Sequence, residues 1–307
     1  MQTTKIEWAD MSVNPIRARY KKTGAVGHYC EKIAPGCTHC YSSALQVRFK
    51  TLPFGSGQHR EQFDIYLDRK TLESVRKRKK PAKIFWVDMS DIFGEWVEQD
   101  WLDEMFATMR DTPQHTHMLL TKRLDQVGAR WPLYDSVEAW CNSCRKIVRP
   151  VISNEKPECE NCRDVLWPKF YPNVWFGTSV SDQPTLDAAR KLAEFRDRAG
   201  VLFLSCEPLL APLDLSWWFE NIPREEFWCV VGGESGRLAR PCKIEWIESI
   251  VEQCRKAQVK CFTKQIGADP VGRNGEPLHI ADRKGGNMMD WPLWIRVREF
   301  PMQEDAT

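Results

Sequence analysis

The chain has 307 residues, of which 42% are hydrophobic and 28% charged, with 17 glycines and 19 prolines. Such a length can bury a sizeable core, and the balance excludes a small disulfide-stapled scaffold, a collagen- or mucin-like chain and a disordered tail. With a formal net charge of only +2, any contact with nucleic acid needs a local basic patch.

The opening residues, MQTTKIEWAD, have neither the basic start nor the apolar stretch of a signal peptide, and no run of about 18 apolar residues follows. The expectation is a cytoplasmic protein with no membrane partner, whose 12 cysteines stay out of disulfides in a reducing compartment. Cys30, Cys37 and Cys40 then offer three thiolates, spaced by six and two residues, with no evident fourth. Two chemistries fit that set. Three thiolates can hold a [4Fe–4S] cluster with one iron open to the amino and carboxylate groups of S-adenosylmethionine, or zinc can be completed by His28 or His39. Pro35 and Gly36 permit the tight loop that either needs.

Short apolar runs at 84–89, 117–121, 174–180, 201–205, 228–231 and 260–264 read as parallel strands, with candidates at 6–8 and 63–67 that would raise six to eight. Helical spacing of apolar residues recurs between them at 99–110, 183–199 and 244–258. This alternation predicts an α/β fold, a (βα) barrel of six to eight parallel strands over 1–134 and 168–307. In a barrel the site lies at the carboxyl ends of the strands. Those ends carry Ser90-Asp91, Lys122-Arg123, Ser179 and Ser181, Glu207, and Glu234-Ser235. Each residue taken singly could equally cap a helix or form an ion pair. The basic run at 76–80 reads first as a solvated helix end before Pro81.

Interrupting the alternation, Cys141, Cys144, Cys159 and Cys162 form two two-residue knuckles fourteen residues apart. Four thiolates in this spacing can converge tetrahedrally on Zn2+; a set of four also ligates an iron–sulfur cluster, but paired knuckles on a small ribbon favour zinc, and the polar, turn-rich surroundings are too poor in apolar residues to hold together without a metal. Residues 135–167 are therefore read as an inserted zinc ribbon. No GxGxxG, GxxxxGKS, HExxH or GxSxG pattern is present, so nucleotide-loop, zinc-peptidase and serine-hydrolase chemistry have no support.

The runs TKIEWAD, APGCTHCY, VDMSDIFGEWV, TPQHTHMLLTKR, NVWFGTSVSDQ, LFLSCEPLL, VVGGESGRLARPC and CFTKQIG resemble the three-cysteine-motif protein family of bacteriophages and mobile elements. That family is similar at a distance to radical S-adenosylmethionine enzymes, including the lyase that repairs spore photoproduct. The resemblance implies a [4Fe–4S] cluster on Cys30, Cys37 and Cys40. It places Ser90 and Asp91 at the amino group of S-adenosylmethionine, Lys122 or Arg123 at its carboxylate, Ser179 or Ser181 at its ribose, and Glu207 and Glu234 toward substrate. One departure stands out, because the commonest radical enzymes space their cysteines by three and two. The implied function is modification or rearrangement of a DNA base, first of all a hypermodified phage thymine. It would take place in the host cytoplasm if the chain is phage-encoded, with an electron-donor protein as partner. The rival readings are a lesion lyase and a non-enzymatic, zinc-bearing protein that binds DNA or docks a partner.

Overall fold

The computed structural model describes residues 1–55, 59–132, 139–141, 143–144, 146–148, 150–153, 156–163 and 171–301. The chain opens with β1 (Gln2–Thr3), β2 (Met11–Val13), β3 (Ile16–Tyr20) and β4 (Val26–Gly27). Then come α1 (Tyr41–Gln46), β5 (Phe63–Leu67), α2 (Arg69–Arg76), β6 (Lys83–Trp86), α3 (Gln99–Arg110), β7 (Thr116–Thr121) and α4 (Leu124–Val127). Four short strands follow: β8 (Ala139–Cys141), β9 (Lys146–Val148), β10 (Pro150–Ser153) and β11 (Lys156–Cys159). The remainder is β12 (Tyr171–Ser179), α5 (Gln183–Ala188), β13 (Ala199–Cys206), α6 (Ser216–Asn221), β14 (Phe227–Gly232), β15 (Cys242–Lys243), α7 (Ile244–Ala257), β16 (Lys260–Gln265) and β17 (Pro270–Val271).

The main sheet runs β1-β2-β6-β7-β12-β13-β14-β16. Its neighbours are parallel from β2 to β16, and β1 lies antiparallel on β2. The expected (βα) barrel of six to eight parallel strands is thereby corrected to an open, mixed, curled sheet. Closure fails because antiparallel segments occupy both edges. On the far edge, Thr263 N–H donates to Val297 O and Glu299 N–H to Cys261 O, so the carboxyl-terminal segment takes the bonds a closing strand would need. Residues 6–8 form a turn rather than a strand. Phe63–Leu67 is a strand, but it joins β3 and β4 in a separate antiparallel sheet.

Both faces of the main sheet are covered, which is why its strands read as nearly continuous apolar runs. Along β13, Leu202 and Leu204 face the helices while Val201 and Phe203 face the inside of the curl, as the two-residue period of a strand requires. Leu102, Met105, Phe106 and Met109 of α3 are fully buried on the helical side, together with Cys206, Cys229, Cys254 and Cys261. Inside the curl, Trp8, Phe85, Trp175, Trp228 and Phe262 make an aromatic layer around Met118, and Trp228 Nε1–H donates to Glu299 O at 2.9 Å. Among the described residues no helix is long and apolar enough to cross a membrane.

The segment expected to be a zinc ribbon leaves the sheet between β7 and β12, which are direct neighbours. Residues 135–138, 142, 145, 149, 154–155 and 164–167 of that expected insertion lie outside the described residues.

Candidate functional site

Parallel strands place every β-to-α loop on one edge of the sheet. At that edge lies a cavity of about 210 Å³, lined by Cys30, Cys37 and Cys40 from the loop above and by Ser90, Asp91, Lys122, Ser179, Glu207 and Glu234 from the strand ends below. Trp8, Phe85 and Leu120 supply an apolar floor. Arg123 and Ser181 stand just outside this lining. The cysteine loop sits so close to the sheet that a Cβ on Gly36 would come 2.9 Å from Ser181 Oγ and 3.0 Å from Pro208 Cδ. A side chain there would have to push Ser181 and Pro208 aside.

Three remote groups hold the loop down. Arg240 donates through Nη2 to the Pro35 carbonyl at 3.2 Å and grips Glu234 through Nη2 and Nε at 2.6 and 2.9 Å. His39, between the second and third cysteines, meets the same carboxylate at 3.2 Å. Burial raises the Glu234 carboxyl, but the Arg240 hydrogen bonds and His39 outweigh it and hold it below its ordinary value. On the other side Arg123, buried over the Trp96 ring at 4.9 Å, pairs with Glu31 at 3.3 Å. Burial pushes the Cys30 thiol up, with Asp91, Cys40 and Cys37 adding to the effect and Arg123 opposing it.

The strand-end residues divide into anchors and groups that still face the cavity. Asp91 accepts from Phe93 N–H (3.0 Å), Thr121 Oγ1–H (2.7 Å) and Lys122 N–H (3.1 Å), so both its oxygens are engaged by protein. Ser90 Oγ donates to Tyr29 O and accepts from Trp96 Nε1–H. Just before them, Val87 holds φ at 57°, a region that β-branched residues rarely enter. It is pinned there by its N–H on Val13 O. Lys122 Nζ donates to Ser179 Oγ at 3.0 Å. Glu207 accepts from Ser205 Oγ at 3.2 Å, and Lys264 Nζ forms an ion pair with its other oxygen at 3.0 Å.

Sequence reasoning missed Lys264, although the strand-end rule that found the other residues reaches it at the end of β16. It also missed Arg240, six residues after Glu234 in an irregular loop with no motif to mark it. Tyr41, whose hydroxyl donates to Asp88 O at 2.9 Å, was missed as well.

The second thiol set has a different geometry. Cys141, Cys144, Cys159 and Cys162 have all four sulfurs within 4.8 Å of one another, with pairs at 3.5 and 3.7 Å. Four thiolates at about 2.3 Å from one tetrahedral ion lie about 3.8 Å apart. The match fits a metal such as zinc. Backbone N–H groups of Cys144 and Asn161 point at the Cys141 and Cys159 sulfurs. Burial raises the Cys159 thiol, but the N–H groups of Cys162 and Asn161 and the neighbouring thiols bring it down to about 6, while Cys162, burial and the other thiols push Cys144 up to about 12. Among the described residues this is the one group of three or more potential ligands gathered so tightly, and Cys30, Cys37 and Cys40 are set wider.

Comparison with curated proteins returns no match, and comparison with solved structures returns none. A family model described as a protein of unknown function, DUF5131, matches residues 3–295, nearly the whole chain, and the protein belongs to that family.

Proposed function

We propose that the chain is a radical S-adenosylmethionine enzyme that carries a [4Fe–4S] cluster on Cys30, Cys37 and Cys40 and modifies or rearranges a nucleobase in DNA, with a hypermodified phage thymine as first candidate. One observation carries the reading: three thiols with no fourth cysteine share a cavity with polar groups from the parallel strand ends. Their sulfurs do not all lie within 4.8 Å of one another as the ribbon set's do, so they do not close on a single tetrahedral ion in the same way. When bound, the cluster and S-adenosylmethionine supply an electron and a 5′-deoxyadenosyl radical able to take a hydrogen atom from substrate.

The protein's own groups then divide the work. Lys122, steadied by Ser179, presents N–H donors for a carboxylate. Ser90 and Asp91 shape the loop beneath the cysteines rather than reaching for a ligand, and Glu234 fixes the loop through Arg240 and His39. Glu207, paired with Lys264, is left as the acid–base couple facing substrate. Trp8, Phe85 and Leu120 keep water from the floor. Because the cavity falls below the roughly 300 Å³ of ordinary small-molecule sites, cofactor and base together must extend over its mouth. An electron-donor protein is the required partner, and the reducing cytoplasm is the compartment that suits the chemistry.

The test is anaerobic reconstitution with iron and sulfide, followed by metal analysis, absorption near roughly 400 nm and assay of 5′-deoxyadenosine. About four irons and one zinc per chain, with reductant-dependent cofactor cleavage, are expected. Zinc alone in both thiol sets would sink the enzymatic reading and leave a zinc-bearing binding protein.

A further inference from the structure

The lobe that carries the cysteine loop has a charge and surface the proposed chemistry does not use. Between Ile16 and Leu67 there are eight lysines and arginines against three carboxylates, a formal +5 in a chain whose total is +2. Arg19, Lys22, Arg48, Lys50 and Arg60 are exposed, and among the described residues none of them has a carboxylate partner within 4.0 Å. Exposed apolar side chains lie beside them. Ile33 and Tyr41 stand at the cavity mouth, 48% and 45% exposed, and Val47 and Phe49 follow on the same segment.

These residues form one track, tied beneath the surface by the buried His28. From Tyr41 the chain runs through α1 to Phe49, about 12 Å along a helical path. The Phe49 ring lies 6.0 Å from the His28 ring, and Arg17 Nη1 reaches His28 Nε2 at 3.3 Å. Arg17 stands opposite Tyr66 across β3 and β5, and the Arg19 guanidinium covers the Tyr66 ring at 5.8 Å. Cations and rings alternate along it, the composition that tracks a phosphate backbone while offering faces for bases.

We propose that this track binds single-stranded DNA leading into the cavity mouth, which rests on the reading of a DNA base as substrate. A base stacked in a duplex cannot reach a cavity beneath a loop, so the strand must arrive unpaired or with its target extruded. The basic run at 76–80 is not part of this surface, because it precedes β6 and lies at the opposite, amino end of the strands.

The experiment is fluorescence anisotropy of a labelled 20-nucleotide single strand with the full-length protein, before and after loading with iron, from 50 to 200 mM salt. With about four phosphates engaged, the logarithm of affinity should fall with a slope of about −2.8 against the logarithm of salt, roughly fifty-fold over that range. Arg19→Glu with Arg48→Glu and Lys50→Glu should weaken binding at least tenfold. Lys77→Glu with Lys79→Glu and Lys80→Glu, the same change of charge at the far end, should leave it within twofold. If the first triple variant does not fold, the corresponding glutamine variants should lower both affinity and salt slope. Equal losses in both triple variants, tighter binding of a 20-base-pair duplex or of RNA, or no binding at 50 mM salt would overturn the assignment. Since the titration needs no cofactor, normal DNA binding by a protein that takes up no iron would refute the enzymatic reading alone.

Discussion

In the ribbon, Cys141, Cys144, Cys159 and Cys162 come together through two knuckles whose own backbone N–H groups point at sulfur, whereas Cys30, Cys37 and Cys40 are placed from outside. Arg240 holds the Pro35 carbonyl, Glu234 holds His39, and Arg123 holds Glu31, all from strand-end loops of the sheet. The first set would depend on the metal it could gather, because two-stranded ribbons are marginal alone. The second keeps its shape through the sheet. On the proposed reading, a cluster with one ligand position open would gain from such external support, since its metal could not be relied on to organise the loop.

The largest effect expected from this contrast is in the ribbon. Cys144→Ser with Cys159→Ser should release the zinc and forfeit a metal-binding free energy of about 10 kcal/mol or more. Amide-exchange protection over 139–163 should collapse while the sheet melts within a few degrees of wild type. Concerted loss of the sheet would show that the ribbon is part of the core.

For the cysteine loop the same operation should do less. Cys37→Ala is expected to take iron from about four per chain to near zero and leave zinc in place. Amide exchange over 30–41 should stay slow, because Arg240 and Arg123 still bind the loop. A loop that melts with loss of iron would remove the distinction between the two thiol sets.

Arg240→Ala attacks the support itself. It removes charge-assisted hydrogen bonds worth about 1.5–3 kcal/mol, toward the lower figure because Arg240 is itself 30% exposed. Exchange over 30–41 should accelerate and iron retention should fall, with ribbon zinc unchanged. The clamp also has a pH signature. Glu234 is held below its ordinary value, so its contribution is full above about pH 4.3 and disappears as pH falls through the lower folded value. Glu234→Gln should therefore match wild type most closely in acid, and a constant gap in loop exchange from pH 6 to pH 3 would count against the clamp.

How far the sequence could reach follows from the same contrast. The six β-rich runs are six neighbouring parallel strands, since burial on both faces leaves an unbroken apolar signature. Barrel closure was not legible, because it is decided by the unremarkable two-residue β1 and by backbone pairing from Val297 and Glu299. The knuckle spacing of the ribbon is local and could be read directly. Strand-end polarity found the polar groups that the parallel strands bring to the cavity, Ser90, Asp91, Lys122, Ser179, Glu207 and Glu234 among them, but could not separate anchors such as Asp91, whose oxygens are consumed by backbone and Thr121, from groups such as Lys122. Arg240 and Tyr41 act across long sequence separations, for which one sequence holds no signal.

An effect comparable to the loss of the Arg240 clamp concerns the sheet that supports the cysteine loop, where acid should act through a histidine rather than through thiols. His117 lies fully buried on β7; its Nδ1 accepts from Trp86 Nε1–H at 2.9 Å, and Nε2 lies 3.0 Å from Thr112 Oγ1. Burial, aided by His115, holds its pKa down to about 3 against the pull of the Thr112 carbonyl. The folded protein thus keeps the ring neutral while the unfolded chain protonates it below about 6.5, so its contribution is full above that value and lost as pH falls toward 3. At pH 5 the deficit is about 1.5 pH units, or about 2 kcal/mol. Denaturant midpoints of the sheet at pH 7 and pH 5 check this directly. His117→Gln should lower stability at both values, because it disturbs the Trp86 and Thr112 contacts, but flatten the difference between them. If the variant keeps the wild-type slope, the acid sensitivity of the sheet arises elsewhere, and the support beneath the cysteine loop is not set by this histidine.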